Sequence, residues 1–230
     1  MQNRGVSRPG TGDRPHRPVT AQPALKPLAV GVTGGIGSGK TLVMGVFESM
    51  GAKILLADPI ARTVVERSDR IRERIRREFG PETVLADGTL DRKRLGKMIF
   101  FDPSLRSRLE AIVHPAVLEE ISREIREFKE LCTGPVIAVE AAILYEANAS
   151  EMFDYVVVVD APRDIRIDRI ASRDRLSRQE ILQRMESQAP PEEKADRADF
   201  VLRNTGTREE LEEKARFLYR LLETLASSPG

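Results

Sequence analysis

Short apolar segments rich in β-branched residues recur along the chain, and each is followed by a stretch long enough to form a helix. Segments that are apolar throughout, such as residues 156–159, are typical of central strands covered by helices on both faces. Strands that alternate with helical segments predict an α/β fold with a parallel five-stranded sheet. The predicted strands cover residues 28–33, 53–57, 136–140, 155–160 and 200–203.

Helical periodicity and capping residues locate several helices between these strands. Apolar residues within 42–50 fall on one face, so the first helix is expected to begin directly at a glycine-rich loop. Ser177 with Glu180, and Thr207 with Glu210, have the spacing of capping boxes ahead of apolar-periodic stretches. These pairs predict helices near residues 178–188 and 208–226.

The second and third strands are separated by about 75 residues of charged, helical pattern, which is too long for a simple crossover. We therefore predict an inserted helical lobe, over about residues 60–132, that binds the substrate. Breaks in its helices are expected at Gly80–Pro81, Asp87–Gly88, Asp102–Pro103 and His114–Pro115.

Charge is almost balanced over the 230 residues, with 37 Lys and Arg against 36 Asp and Glu, and this gives no reason to propose a nucleic acid or a membrane surface as partner. No apolar run approaches the roughly 20 residues needed to span a bilayer. The single cysteine, Cys132, excludes an internal disulfide, and two histidines are too few for a His/Cys metal cluster. We expect a soluble, cytoplasmic protein.

The first 26 residues are rich in proline and glycine, a composition that buries too little apolar surface to fold. We predict a disordered N-terminal tail there and one domain over residues 27–230. The proline density argues against the amphipathic helix of an organelle-targeting signal.

A phosphate-binding motif follows the first strand directly. Residues 34–41, Gly-Gly-Ile-Gly-Ser-Gly-Lys-Thr, match the P-loop pattern, in which glycines let backbone N–H groups curl around phosphate oxygens at a helix N-terminus. Lys40 is expected to reach the β- and γ-phosphates of ATP, and the Thr41 hydroxyl to ligate Mg²⁺. GTPases, ATPases and kinases share this motif, so it does not identify the reaction. The predicted ATP-binding loop residues are Gly35, Ile36, Gly37, Ser38, Gly39, Lys40 and Thr41.

Further motifs occur in a fixed order along the chain. They are residues 32–41, Ala-Asp-Pro-Ile-Ala-Arg at 57–62, Asp-Gly-Thr-Leu-Asp-Arg at 87–92, His114-Pro115, Ile-Leu-Tyr-Glu at 143–146, the Arg169/Arg173 spacing, Gln188, Ala-Asp at 198–199 and Asn-Thr-Gly at 204–206.

In these motifs, over about residues 28–222, the sequence resembles the dephospho-CoA kinase family. The resemblance implies a three-layer P-loop kinase fold with a helical substrate-binding insertion and a lid over about residues 170–195. It also implies phosphorylation of the ribose 3′-hydroxyl of dephospho-CoA by ATP and Mg²⁺, the last step of coenzyme A biosynthesis. A small-molecule substrate and a monomer or weak homo-oligomer are expected.

Three positions depart from the family pattern. Leu56 stands where the family usually has aspartate, Ala142 where it has proline, and Arg166 where it commonly has glutamine. The residues expected to react are retained.

Asp58 is the candidate general base. It stands at the carboxyl end of the second strand, on the edge where open α/β sheets bind ligands. Phosphoryl transfer needs one carboxylate near the acceptor hydroxyl. Asp58 before Pro59 is also an ideal N-cap for the next helix, and the resemblance favours the catalytic interpretation.

Two further residues are candidates for the phosphate site. Glu140, at the end of the third strand, could hold Mg²⁺ through water or could be a solvated strand end. Arg173 resembles the catalytic and ATP-binding arginine of the family's lid, although arginines at helical spacing, such as Arg169, Arg173, Arg175 and Arg178, often form only a solvated face.

The remaining candidates are assigned to the acceptor and to adenine. Arg62 lies one turn after Asp58 and is expected to contact the acceptor, or else to pair with Glu66. His114 is ordinarily a turn residue, and the resemblance places it in the acceptor pocket. The resemblance also implies that Thr33, Tyr145 and Glu146 bind substrate and that Asn204 and Gly206 form an adenine-side loop.

Three other hypotheses remain open. The chain could be another small-molecule or nucleoside-monophosphate kinase, a P-loop regulatory module, or an inactive relative that binds CoA precursors. No guanine-binding Asn-Lys-x-Asp motif is present, which argues against the regulatory module.

Overall fold

The central sheet contains five strands that are all parallel. The computed structural model describes residues 25–142, 144–174, 177–186 and 188–228, except for the side chain of Phe101. The strands are β1 (Leu28–Thr33), β2 (Lys53–Leu56), β3 (Val136–Glu140), β4 (Tyr155–Asp160) and β5 (Phe200–Arg203), in the order β2-β3-β1-β4-β5. The predicted α/β fold and parallel sheet are confirmed, and β2 ends one residue early because Ala57 already begins a helix.

Helices fill the connections between the strands. They are α1 (Lys40–Ser49), α2 (Ala57–Arg67), α3 (Asp69–Phe79), α4 (Arg92–Phe101), α5 (Pro103–Leu131), α6 (Arg163–Asp174), α7 (Arg178–Glu186), α8 (Pro191–Asp196) and α9 (Arg208–Ser227). Both predicted capping boxes begin their helices: the N–H of Glu180 donates to Ser177 Oγ, and the N–H of Glu210 donates to Thr207 Oγ1, each at 3.3 Å.

The sheet is the middle of three layers. On one face, Val30 and Val32 of β1 pack with Phe47 of α1 and Tyr219 of α9. On the other face, Ile137 and neighbouring apolar residues pack against α5. Alternate residues of one strand therefore bury themselves against different helices, and the burial of this apolar surface stabilises the three layers.

The insertion between β2 and β3 has its own small core. Val65 of α2, Ile75 and Phe79 of α3, Leu95 of α4 and Ile112 of α5 are all buried together. This cluster is separate from the ones that line the sheet, as expected for a helical lobe appended to the main body.

The predicted helix break at His114–Pro115 is wrong. Helix α5 is 29 residues long and continues through Pro115. His114 therefore lies within a helix rather than in a turn. Proline inside a helix costs about 3 kcal/mol, since it removes one hydrogen bond and crowds the preceding turn. Ile112 and Val117 on either side are buried, and burial of such side chains contributes about 1.5–3 kcal/mol each, which offsets the cost.

The predicted disordered tail lies outside the described residues except for its last two positions. Lys26 donates its N–H to the carbonyl of Ala226 at 2.8 Å, and Leu25 packs against the core. Within the described part of the chain, none of the helices combines the length and apolarity that crossing a bilayer requires.

Candidate active site

The P-loop connects β1 to α1, and its geometry depends on glycine. Gly39 is the N-cap of α1 with φ 110°, a left-handed conformation that side chains rarely adopt. A Cβ at Gly39 would lie 2.5 Å from Nδ2 of Asn204, so a larger residue would also displace a neighbour. The loop therefore ends at the N-terminus of α1, where backbone N–H groups and the helix dipole favour an anion.

Lys40 is folded back onto its own loop. Its Nζ donates to the carbonyl oxygens of Gly34 at 3.0 Å and Gly35 at 3.4 Å, and lies 3.9 Å from Oε1 of Glu140. Burial lowers the pKa of Lys40, and the charge of Glu140 partly opposes this. Burial likewise raises the pKa of Glu140, and Lys40 opposes that shift. The pair is thus a partly desolvated charge centre at the carboxyl edge of the sheet.

Asp58 lies on the same edge. Leu56 pairs with Glu140 in the β2–β3 register, so the chain leaves the sheet beside Glu140 just before Asp58. The charge of Asp58 acts on the pKa of both Lys40 and Glu140, in each case as a smaller contribution than burial. The three groups therefore lie near enough to one another for their charges to interact.

The alternative role of Asp58 as an N-cap is wrong. The N-cap of α2 is Leu56, and Asp58 is the second residue of the helix. Its side chain is exposed and makes no hydrogen bond or ion pair with any residue that the structure describes. The carboxylate is accordingly available to accept a proton from a bound hydroxyl.

A cavity opens beside Asp58, and its empty space amounts to about 600 Å³ when the solvent-filled mouth is included. Its walls are mostly apolar, and Asp58 and His114 are its titratable groups. His114 reaches the cavity from α5, one helix turn before Leu118, which also lines it. The other lining residues are Ala57, Ala61, Val117, Ile121, Ala141, Ala142, Leu144, Ala147, Ala149, Met152 and Phe153.

Of the other predicted acceptor residues, Thr33 and Tyr145 do not line this cavity. Thr33 is fully buried and donates its hydroxyl to the carbonyl of Ala142 at 3.3 Å. Tyr145 is buried with its ring under the guanidinium of Arg197, 4.3 Å from the ring centre. Both side chains are therefore buried in the protein interior, in or next to the segment that follows β3.

Glu146 and Arg62 have different surroundings from each other. Glu146 accepts hydrogen bonds from the backbone N–H of Ala189 at 2.9 Å and from Nζ of Lys194 at 2.8 Å. Arg62 is exposed on α2, and the alternative ion pair between Arg62 and Glu66 is wrong, because Glu66 pairs with Arg92 at 2.8 Å.

The charge of Arg173 helps to lower the pKa of Lys40, as a smaller contribution than burial. Arg173 is exposed and pairs with Asp174 at 2.7 Å. Its neighbour Arg169 contacts the P-loop instead, donating to the carbonyl of Gly37 at 3.5 Å and to Oδ1 of Asn204 at 3.1 Å.

Asn204 fixes the P-loop backbone through a side-chain hydrogen bond. It is buried, and its Nδ2 donates to the carbonyl of Ser38 at 2.7 Å. Gly206 follows two residues later in an exposed turn before α9. The structure thus brings Asn204 to the P-loop backbone, while Gly206 lies at the surface.

Two residues of this region were given no role from the sequence. Gln188 accepts the backbone N–H of Ile36 at 2.9 Å, which ties the segment after α7 to the P-loop. Lys194 is 1% exposed and donates to the carbonyl of Ala142 at 2.8 Å as well as to Glu146. Gln188 was visible as a motif residue, whereas a lysine among the charged residues of 192–196 carried no signal.

Comparison with known proteins agrees with this geometry. The sequence model of the dephospho-CoA kinase family matches residues 28–210. The dephospho-CoA kinase of Geobacter sulfurreducens is 43% identical over 185 residues, which are 80% of this chain and 93% of that protein. Among solved structures, a protein of Thermus thermophilus has a TM-score of 0.71 at 37% identity, covering 86% of this chain and 98% of that one. The dephospho-CoA kinase of Campylobacter jejuni has a TM-score of 0.66 at 26% identity, covering 85% and 97%.

Proposed function

This chain belongs to the dephospho-CoA kinase family, and we propose that it transfers the γ-phosphoryl group of ATP to the ribose 3′-hydroxyl of dephospho-CoA, giving coenzyme A and ADP. The observation that carries this proposal is that Asp58, Lys40 and Glu140 lie near enough to one another, at the carboxyl edge of the sheet, for their charges to interact. Lys40 belongs to the phosphate-binding loop, and Asp58 lines an apolar cavity.

The nucleotide is proposed to bind with its phosphates on residues 35–41. Lys40 then exchanges the carbonyl oxygens of Gly34 and Gly35 for phosphate oxygens. Charge-assisted hydrogen bonds to phosphate are stronger than those to a neutral carbonyl, so this exchange favours binding. Asn204 and Arg169 hold the loop backbone in position during this exchange.

Asp58 is proposed to be the general base. Its carboxylate accepts the proton of the ribose 3′-hydroxyl, whose oxygen forms a bond to the γ-phosphorus. The bond between the γ-phosphorus and the bridging oxygen breaks in line, and ADP leaves with those electrons. The carboxylate is exposed and forms no hydrogen bond or ion pair with a described residue, which supports this role because it is free to contact a bound hydroxyl.

Magnesium fits the donors on this edge. Thr41 presents its hydroxyl on the first turn of α1, and Glu140 presents a partly buried carboxylate whose pKa is raised by burial. These two residues would hold the ion, and a bound cation would offset the desolvation of Glu140. Held by Thr41 and Glu140, the ion would supply positive charge that offsets the negative charge developing on the phosphates.

The acceptor is proposed to enter through the cavity next to Asp58 and His114. Its apolar walls suit the part of dephospho-CoA adjoining the reactive ribose. His114 in the cavity wall, and Arg62 on the exposed side of α2, are proposed to contact polar groups of the acceptor. Thr33 and Glu146 act there by holding the segment after β3, Thr33 through the carbonyl of Ala142 and Glu146 through its pair with Lys194. Tyr145 holds the same segment by packing its ring against Arg197.

Residues 170–195 are proposed to close over ATP and to exclude water, which would otherwise compete with the acceptor. Residues 175, 176 and 187 of this lid lie outside the described part of the chain. On closure, Arg173 exchanges Asp174 for a phosphate oxygen, and Gly206 lies beside the adenine. A cytoplasmic monomer or weak homo-oligomer, with no nucleic acid or membrane partner, completes the proposal.

A coupled assay of ADP release tests this function. Purified protein is given ATP, Mg²⁺ and dephospho-CoA, and the product is identified as coenzyme A by mass spectrometry. Coenzyme A itself is the matched control acceptor, because its 3′-hydroxyl is already phosphorylated and it should give no turnover. Phosphorylation of nucleoside monophosphates without phosphorylation of dephospho-CoA would contradict the assignment.

A further inference from the structure

The guanidinium of Arg166 lies against the P-loop. Arg166 is on α6, and a Cβ added to Gly35 would be 2.2 Å from its Nη1 and 3.2 Å from its Cζ. The backbone of the same helix turn also meets the loop, since a Cβ at Gly37 would lie 2.9 Å from the carbonyl oxygen of Arg166. Glycine at position 35 thus lets the guanidinium pack directly on the loop that is proposed to hold the nucleotide phosphates.

The charge of Arg166 is only partly compensated by the residues that the structure describes. The residue is only 6% exposed, and its buried Nε has no hydrogen-bond partner among the residues that the structure describes. No described carboxylate forms an ion pair with it. Asp160 and Glu192 act on it only through longer-range attraction, and burial lowers its pKa. A buried charge without a partner destabilises a fold, so its presence here calls for a compensating ligand.

A second cation converges on the same residue of the loop. Lys40 donates to the carbonyl of Gly35, while Arg166 packs against the α-carbon side of Gly35. Lys40 has Glu140 at 3.9 Å, whereas no carboxylate among the described residues forms an ion pair with Arg166. Of the two cations next to Gly35, Lys40 is therefore the better compensated in the nucleotide-free protein.

We propose that Arg166 is a positioning residue whose charge is balanced by the phosphates of the bound nucleoside polyphosphate instead of by the protein. It attracts the polyphosphate to the loop and holds it there, and the nucleotide in turn relieves the cost of the buried guanidinium. This inference rests on the proposed function only in requiring that residues 34–41 bind a nucleotide.

Such a role has two linked consequences that simple packing does not share. Replacement of Arg166 by a neutral residue of similar length weakens nucleotide binding, because the attraction is lost. The same replacement leaves the thermal stability of the nucleotide-free protein unchanged or higher, because an unbalanced buried charge has been removed. Replacement of a residue that only packs would leave Kd unchanged and would lower the Tm.

The experiment uses the full chain and the variants Arg166→Gln, Arg166→Met and Arg166→Lys. Kd for ATP and for ADP is measured by titration calorimetry, and Tm is measured without nucleotide. Arg163→Gln, an exposed position on the same helix that makes the same charge change, is the matched control. We expect Kd to rise about tenfold in the Gln and Met variants and to stay near the wild-type value in the Lys variant and in Arg163→Gln.

Wild-type Kd values in Arg166→Gln and Arg166→Met would overturn the proposal. A lower Tm of the nucleotide-free Met variant would also overturn it, because that result indicates a packing role. If the wild-type protein itself binds neither ATP nor ADP, the proposed function fails, which is distinguishable from failure of this inference alone.

Discussion

The ammonium group of Lys40 and the carboxylate of Glu140 lie 3.9 Å apart, one on the first residue of α1 and the other on the last residue of β3. Each is partly desolvated, and each moderates the pKa shift that burial imposes on the other. The charge state of the phosphate site is consequently set by two elements that meet only in the folded sheet.

Removal of the Glu140 charge should shift the pH dependence of nucleotide binding. Burial lowers the pKa of Lys40 and Glu140 raises it, so Glu140→Gln lets the pKa of Lys40 fall further. Because protonated Lys40 binds phosphate, affinity declines as pH rises through this pKa, and the decline should begin at lower pH in the variant. Kd for ADP, measured across alkaline pH without added Mg²⁺, checks this. Glu130→Gln is the control. The same loss of ADP affinity at alkaline pH in the wild type and in both variants would contradict this prediction.

Asp58→Asn should reduce turnover about 10²-fold or more while leaving Kd for ATP nearly unchanged, since general-base catalysis typically contributes that much. Initial rates with saturating dephospho-CoA and calorimetric titration with ATP separate the two effects. Glu66→Gln, an exposed acid on the same helix, should retain wild-type turnover. Turnover of Asp58→Asn equal to that of wild type would exclude Asp58 as the base.

Asn204→Ala should weaken both the fold and the loop. The variant leaves the carbonyl of Ser38 and one donor of Arg169 without their partner, and an unsatisfied buried polar group costs about 1–3 kcal/mol. The free energy of unfolding in urea should fall by that amount, and Kd for ADP should rise. Gln179→Ala, which removes an exposed amide on α7, serves as control. Unchanged stability of Asn204→Ala would show that the two hydrogen bonds contribute little.

Lys194→Met should lower the free energy of unfolding by about 3 kcal/mol, because it leaves Glu146 without its cation in a partly buried site. The double variant Lys194→Met/Glu146→Gln should recover part of the loss, since no charge is then left unpaired. Urea denaturation of the single and double variants forms a double-mutant cycle. Additive losses in that cycle would mean that the two side chains do not stabilise each other.

The strands and the P-loop could be predicted because their signals are local. The apolar segments at Leu28–Thr33 and Tyr155–Asp160 identify buried strands whatever their neighbours are. Residues 34–41 wrap around a ligand with their own backbone, so their sequence contains most of the required information. The shared edge of Asp58 and the P-loop followed from the parallel sheet.

The errors and omissions concern contacts between distant segments. Pro115 is a helix breaker by local preference, and only the burial of α5 against the sheet and the lobe shows why the helix continues. Arg169 and Arg173 lie one turn apart on α6, and which of them contacts the loop depends on how that helix is rotated against it. The pairing of Lys194 with Glu146 joins two segments on either side of β4 and left no trace in the sequence.

Helix α5 belongs to both halves of the molecule: Ile112 lies in the core of the lobe, and Val117 lies in the layer on the sheet. The boundary between the two halves therefore runs through the middle of a continuous helix, close to Pro115. A chimera that grafts another acceptor lobe onto this sheet cannot be joined at loops on both sides. One of its junctions has to be spliced within α5, in register with the faces that each half buries.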